Sequence, residues 1–165
     1  MAAFIPSLQN NIGFRRTLQL VEPHSLEDTV QQLWQAIVSS WFPSNEGYMW
    51  SIKGSALTQD DIPNITVIQR LILLVECKHP SSGIPVAWDN TISAQCHNDL
   101  SQTNNESGKL FRVVAIGRRA RFYQFNGEVL PDQQLVQLHQ GTFDVSDPAG
   151  IAQVESMVNY IKANS

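Results

Sequence analysis

The chain has only two cysteines, Cys77 and Cys96, and they form no CxxC pair. A structural zinc site takes about four Cys or His ligands. The four histidines, His24, His79, His97 and His139, fall at no HxxxH or HExxH spacing that would supply them. Both thiols lie near apolar stretches, where reduced core or half-buried cysteines are expected. Nor does any spacing support a hydrolase built on Cys77 or Cys96 with a histidine. Charge is scarce too. Asp, Glu, Lys and Arg make up 16% of the 165 residues, so the surface must rely on Asn, Gln, Ser and Thr. A net charge of −4 and an isoelectric point near 5.5 argue against nucleic-acid binding through the whole surface, while leaving room for a local basic groove. No apolar run approaches the roughly 20 residues that span a bilayer. The opening Met-Ala-Ala-Phe-Ile-Pro has neither a basic n-region nor a long apolar h-region. A soluble, intracellular protein (cytoplasmic or nuclear) that avoids membranes is expected, and the glycosylation sequons at Asn64 and Asn105 then carry no meaning.

What is present suffices for a core. Hydrophobic residues make up 42% and there are four tryptophans, in a length that fits one domain. No internal repeat, low-complexity segment or linker divides the chain, so residues 1–165 read as a single domain. Residues 15–22 read as an edge strand or an arm. Ser25 with Asp28 then gives a near-capping box, and Val30, Leu33, Ile37 and Trp41 recur at helical spacing, ending before Pro43. Residues 48–52 read as a short strand, and residues 64–69 as a strand with one better-buried face. Leu71 to Val75 is an unbroken apolar run, the pattern of a central strand covered on both sides.

After that run, residues 88–103 carry Trp88, Ile92, Cys96 and Leu100 four apart, as a helix would. Residues 110–116 and 121–125 read as strands around Gly117-Arg118-Arg119, and residues 129–138 as a strand or a short helix. Asp147-Pro148 starts a last helix, about residues 147–163, with Ile151, Val154, Val158 and Ile161 on one face. Two short early connections favour an antiparallel meander, after which the helix at 88–103 crosses over to a later strand. The tryptophans at 34, 41 and 88 are expected in the core.

The apolar run ends in Glu76-Cys77-Lys78. Alternation along a strand puts Glu76 and Lys78 on one side and Cys77 on the other. A carboxylate and an amine at the end of an apolar strand are costly unless paired. Taken alone, they read most simply as an ion pair at the mouth of a sheet. Metal-dependent cleavage of a phosphodiester asks for more: a hard cation held by carboxylates, and a fixed cation beside the developing charge. The sequence offers Pro63-Asn64 ahead of one strand, Glu76 and Lys78 at the end of the next, and Gln95 on the following helix.

Pro63-Asn64-Ile65, Leu73-Leu74-Val75-Glu76-Cys77-Lys78 and Ala94-Gln95, in that order, resemble the motifs of the PD-(D/E)XK superfamily, the fold of restriction endonucleases. The similarity is greatest to small fungal-type members, in which a VxECK strand precedes a Trp-containing helix and a Gly-Arg-Arg hairpin, here Gly117-Arg118-Arg119. It spans about residues 25–125 and implies an α/β fold. The expected form is a restriction endonuclease-like mixed sheet flanked by helices in α-β-β-β-α-β order. It further implies a nuclease using Mg²⁺ or Mn²⁺, with Glu76 as metal ligand, Lys78 as catalytic lysine, Gln95 as accessory residue and Glu27 as an extra acid on the first helix. Asn64 stands where the family has a metal-binding Asp. An amide oxygen can ligate a hard cation but lacks the charge that makes the site tight, and Asp60 or Asp61 is then the substitute ligand. Without one, the domain is a catalytically inactive module that binds protein or nucleic acid. Lys109, Arg112, Arg118, Arg119 and Arg121 form the one basic cluster, which reads most simply as a solvated hairpin tip and alternatively as a set of phosphate contacts, with Phe111, Phe122 and Tyr123 nearby for stacking. The expected partners are DNA or RNA, with a homodimer left open.

Overall fold

The computed structural model describes residues 7–22, 25, 27–52, 65–68, 73–78, 109–126 and 135–164. Helices α1 (Ile12–Leu20) and α2 (Glu27–Trp41) come first, and strands β1 (Met49–Ile52), β2 (Ile65–Ile68) and β3 (Leu73–Lys78) follow. After them come β4 (Lys109–Ile116), β5 (Arg119–Asn126), β6 (Leu135–Gln137), β7 (Phe143–Asp144) and helix α3 (Pro148–Ala163). The architecture is mixed α/β, as the hydrophobic periods imply.

Residues 15–22 are not the expected edge strand or arm. Asn11 caps a helix there by accepting the Phe14 N–H at 2.9 Å. Phe14 is buried and Leu18 packs against the core, so the apolar period is four, not two. The Asn11 amide also donates to Ser40 Oγ at 2.7 Å, which ties α1 to α2. Ser25, expected in a near-capping box, lies between α1 and α2. Its hydroxyl accepts from Glu22 N–H and donates to the Leu20 carbonyl, closing the turn after α1. The helix stripe of α2 is as expected: Val30, Leu33, Ile37 and Trp41 are all buried. The final helix has Asp147 as its cap and Pro148 in its first turn, and buries Val154, Val158 and Ile161. Pro suits that position because its missing N–H would have no helical partner.

The strands form one sheet in the order β1-β2-β3-β4-β5-β6, with β7 also paired to β5. Strands β1, β2 and β3 are antiparallel to one another, whereas β3 and β4 run parallel. This is the expected meander followed by a crossover, since a parallel neighbour can be reached only by a long connection. The expected helix at 88–103 lies in that connection, outside the described residues. Strands β4 and β5 then make a hairpin in which Ile116 faces Arg119 across Gly117-Arg118. Gly117 has φ 59°, a left-handed conformation that glycine adopts without a Cβ penalty. The two-residue strand β7 has no signal in the sequence.

The described helices α1, α2 and α3 contribute to one core on one face of the sheet. Phe14, Trp34, Ile37, Trp41, Val154 and Ile161 meet Ile65, Val75, Val113 and Phe122 there. Trp41 also donates its Nε1–H to Asn159 Oδ1 at 2.8 Å, linking α2 to α3. The opposite face is covered as well, for Val114, Ile116 and Tyr123 form a second buried cluster. No described helix is long and apolar enough to cross a membrane.

Candidate functional site

Strand β3 sorts its residues between the two faces. Leu73, Val75 and Cys77 are buried in the main core. At roughly 1.5–3 kcal/mol for each large apolar side chain buried, that set fixes the register, because a one-residue slip would exchange the faces. Leu74, Glu76 and Lys78 therefore occupy the second-face positions, with Glu76 opposite Val114 and Lys78 opposite Ile116 on β4. The sequence expectation for this strand, Glu76 and Lys78 together and Cys77 away from them, matches the register. Cys77, buried in the main core, is a packing residue and no accessible nucleophile.

The hairpin continues these rows. Val114 faces Arg121, Ile116 faces Arg119, and Arg112 faces Tyr123. Glu76 and Lys78 thus share a face with the three register positions Arg112, Arg119 and Arg121. Neighbouring strands lie about 4.8 Å apart, so Arg119 and Arg121 stand roughly 10 Å across the sheet from β3. Arg112 is closer, on the adjacent strand and one row from Glu76.

Arg112 belongs to neither a solvated tip nor a set of phosphate contacts, the two readings its basic cluster allows. Arg112 is 0% exposed. Phe111, Phe122 and Tyr123, expected as stacking platforms, are buried as well. Arg112 stands between Phe111 and Val113 in a strand whose two faces are both covered by residues distant in the chain. An unmatched buried charge costs several kcal/mol, a large share of a domain's typical net stability of about 5–15 kcal/mol. A guanidinium in that position therefore belongs to the internal electrostatics of the sheet.

The three hairpin arginines differ in their surroundings. Arg118 is half-buried, and its Nε donates to the Val21 carbonyl at 2.8 Å, at the end of α1. Arg121 is also half-buried and donates from Nε to Thr142 Oγ1 at 2.7 Å. Arg119 is exposed. It is the one of the three with no part of its role explained by packing. Near them, His139 has its pKa lowered from 6.5, first by desolvation on burial and then by the Arg121 charge, against a raising contribution from the Gln140 carbonyl.

Asn64, Asp60, Asp61 and Gln95 lie outside the described residues, and the described pairing of β2 with β3 ends at Ile65 opposite Val75. Glu27 opens α2 in the main-core layer. A hard dication takes six or more oxygen ligands, several of them carboxylates. Among the described residues no group of three or more His, Cys, Asp or Glu comes together to hold a metal. Among the described register positions of the second face, Glu76 is two residues from Lys78 on β3, and buried Arg112 is one row away on β4.

Comparison with family models, with curated proteins and with solved structures finds no match for this chain.

Proposed function

We propose that the chain is a PD-(D/E)XK-like domain directed at the phosphodiester backbone of DNA or RNA, with Glu76 and Lys78 at its site. The observation that carries this reading is the sorting of β3. Leu73, Val75 and Cys77 lie in the main core, while Glu76 and Lys78 occupy register positions on the other face, beside a parallel strand. A meander of three strands followed by a parallel crossover is the strand arrangement that the resemblance implies. In the catalytic form of the reading, Glu76 would hold Mg²⁺ or Mn²⁺ together with Asn64 and Asp61. Such an ion polarises a phosphate and acidifies a bound water. Lys78 would stand by the developing charge on the phosphate, with Gln95 accessory to both. Arg118, Arg119 and Arg121 would meet the nucleic-acid backbone.

A second reading, a nuclease-like domain that binds without cutting, is favoured by one specific observation: Arg112 places a buried positive charge one row from Glu76. The two readings separate in one assay. Purified protein with Mg²⁺ or Mn²⁺ should degrade DNA or RNA, and Lys78→Ala should abolish the cleavage without lowering the thermal midpoint. No cleavage of any nucleic acid at high protein and metal concentration removes the catalytic reading. Calorimetric metal binding that disappears in Glu76→Gln would count against the non-cutting one.

A further inference from the structure

We infer that residues 139–142 form an acid-released latch, which closes the edge of β5 while His139 is neutral and leaves that edge once it is protonated. Phe122 lies between the part of β5 that pairs with β6 and the part that pairs with β7. Its carbonyl takes the Leu138 N–H at 2.9 Å, and its own N–H donates to His139 Nε2 at 3.0 Å. The imidazole thus stands in for the carbonyl of a neighbouring strand. With Nε2 accepting, the one proton of the neutral ring is on Nδ1, 3.3 Å from the Gln140 carbonyl. Protonation makes Nε2 a donor that faces another donor. No flip of the ring repairs this, because an imidazolium has no acceptor left.

The surroundings of the ring favour release. Burial opposes a charge on it, the Gln140 carbonyl favours one, and the Arg121 cation on β5 opposes one. From β7 the ring meets Phe143, stacked at 3.8 Å between centroids. The next residue, Asp144, has its carboxylate engaged by the Ser146 N–H and hydroxyl. Helix α2 brings Trp34 against Phe122 and no charge. The ends of the segment are anchored, since Leu138 packs against the core and Phe143 is buried in it. Between them Gln140 and Gly141 are exposed, so opening can stop at these two anchors. It also breaks the bond at 2.7 Å from Arg121 Nε to Thr142 Oγ1. The latch thereby sets the placement of an arginine proposed to meet nucleic acid, but it rests on these hydrogen bonds and not on that reading.

The test is residue-resolved amide hydrogen exchange on the full chain, corrected for the intrinsic effect of pH on exchange. Below pH 6.5, the ordinary value of the ring, the Phe122 amide should lose protection by up to about tenfold per pH unit, the slope of one proton. The amides of Val75 and Val113 in the central strands should keep theirs. His139→Gln, whose side-chain oxygen accepts without titrating, should hold Phe122 protected throughout. Constant protection at Phe122 overturns the latch, and so does a loss shared with Val75 and Val113 or an equal loss in His139→Gln. Should that variant fail to fold, the wild type still decides by nuclear magnetic resonance. The Phe122 amide shift must follow the His139 ring with the same midpoint, and a different midpoint overturns the inference. None of these readouts needs nucleic acid, so the nuclease reading can fail while the latch stands.

Discussion

The imidazole of His139 fills a gap in the sheet: its Nε2 accepts the backbone N–H of Phe122 at 3.0 Å. Strand β6 pairs with residues 123–125 of β5, and β7 with residues 119–120. Between them the edge of β5 would have open backbone groups, which sheets seldom leave without partners. Leu138 N–H takes the Phe122 carbonyl at 2.9 Å and the His139 ring takes its N–H. The ring is held flat against Phe143, with centroids 3.8 Å apart.

That geometry requires an unprotonated Nε2, and the lowered pKa of His139 agrees with it. On acidification the unfolded chain therefore takes up the proton before the folded one does. The stability that His139 contributes is complete above pH 6.5, its unfolded value, and is lost as pH falls through the lower folded value. Urea unfolding across that range should show a decline no steeper than one proton. His139→Gln should flatten it. An equal decline in the variant would assign the loss to other groups.

Gly150 meets β7 with no room for a side chain. A Cβ there would lie 1.8 Å from the Asp144 carbonyl oxygen and 2.9 Å from its nitrogen. Because both contacts are backbone, relief requires α3 to move off the sheet. Gly150→Ala should destabilise the fold by about 1–3 kcal/mol or more, read as the urea midpoint. Gly141→Ala is the control for conformation without crowding. Its φ is 72° with nothing within 4 Å of the new methyl, and it should cost about 1–2 kcal/mol.

The hydrogen bond from Trp41 to Asn159 makes a third test. Trp41 is 1% exposed, and the Asn159 that accepts from its indole N–H is exposed on α3, so water can take over part of that bond when Asn159 is lost. Asn159→Ala should cost about 0.5–1.5 kcal/mol, the net worth of one hydrogen bond, less what alanine gains as the better helix former. Asn159→Asp, which keeps an acceptor oxygen, should recover most of that loss in the same unfolding measurement.

Periodicity made the framework legible. The stripe of Val30, Leu33, Ile37 and Trp41, the Asp147-Pro148 start and the run into Val75 each follow from one local rule, and each holds in the fold. Helix α1 was missed because its cap, Asn11, and its anchor, Phe14, both precede Arg15, where the strand reading began. Strand β7 is too short to carry a period. The site was legible only as far as alternation reaches, which separates Cys77 from Glu76 and Lys78. Arg112 was misread because charge in a sequence suggests solvent, whereas its burial depends on layers assembled from distant segments. The same dependence sets Arg118 apart from its neighbour Arg119, since the Val21 carbonyl that holds it is far away in the chain.

That difference between Arg118 and Arg119 gives the last prediction. Arg118→Ala should lower the unfolding midpoint, because it removes a half-buried side chain and leaves the Val21 carbonyl to find another donor. Arg119→Ala should leave the midpoint within about 0.5 kcal/mol of wild type, as exposed substitutions do. If this face meets a phosphate backbone, the order reverses in a binding assay. Arg119→Ala should weaken binding to DNA or RNA and reduce the slope of log affinity against log salt by about one. An unchanged slope would leave Arg119 as a solvated surface residue with no part in contacting nucleic acid.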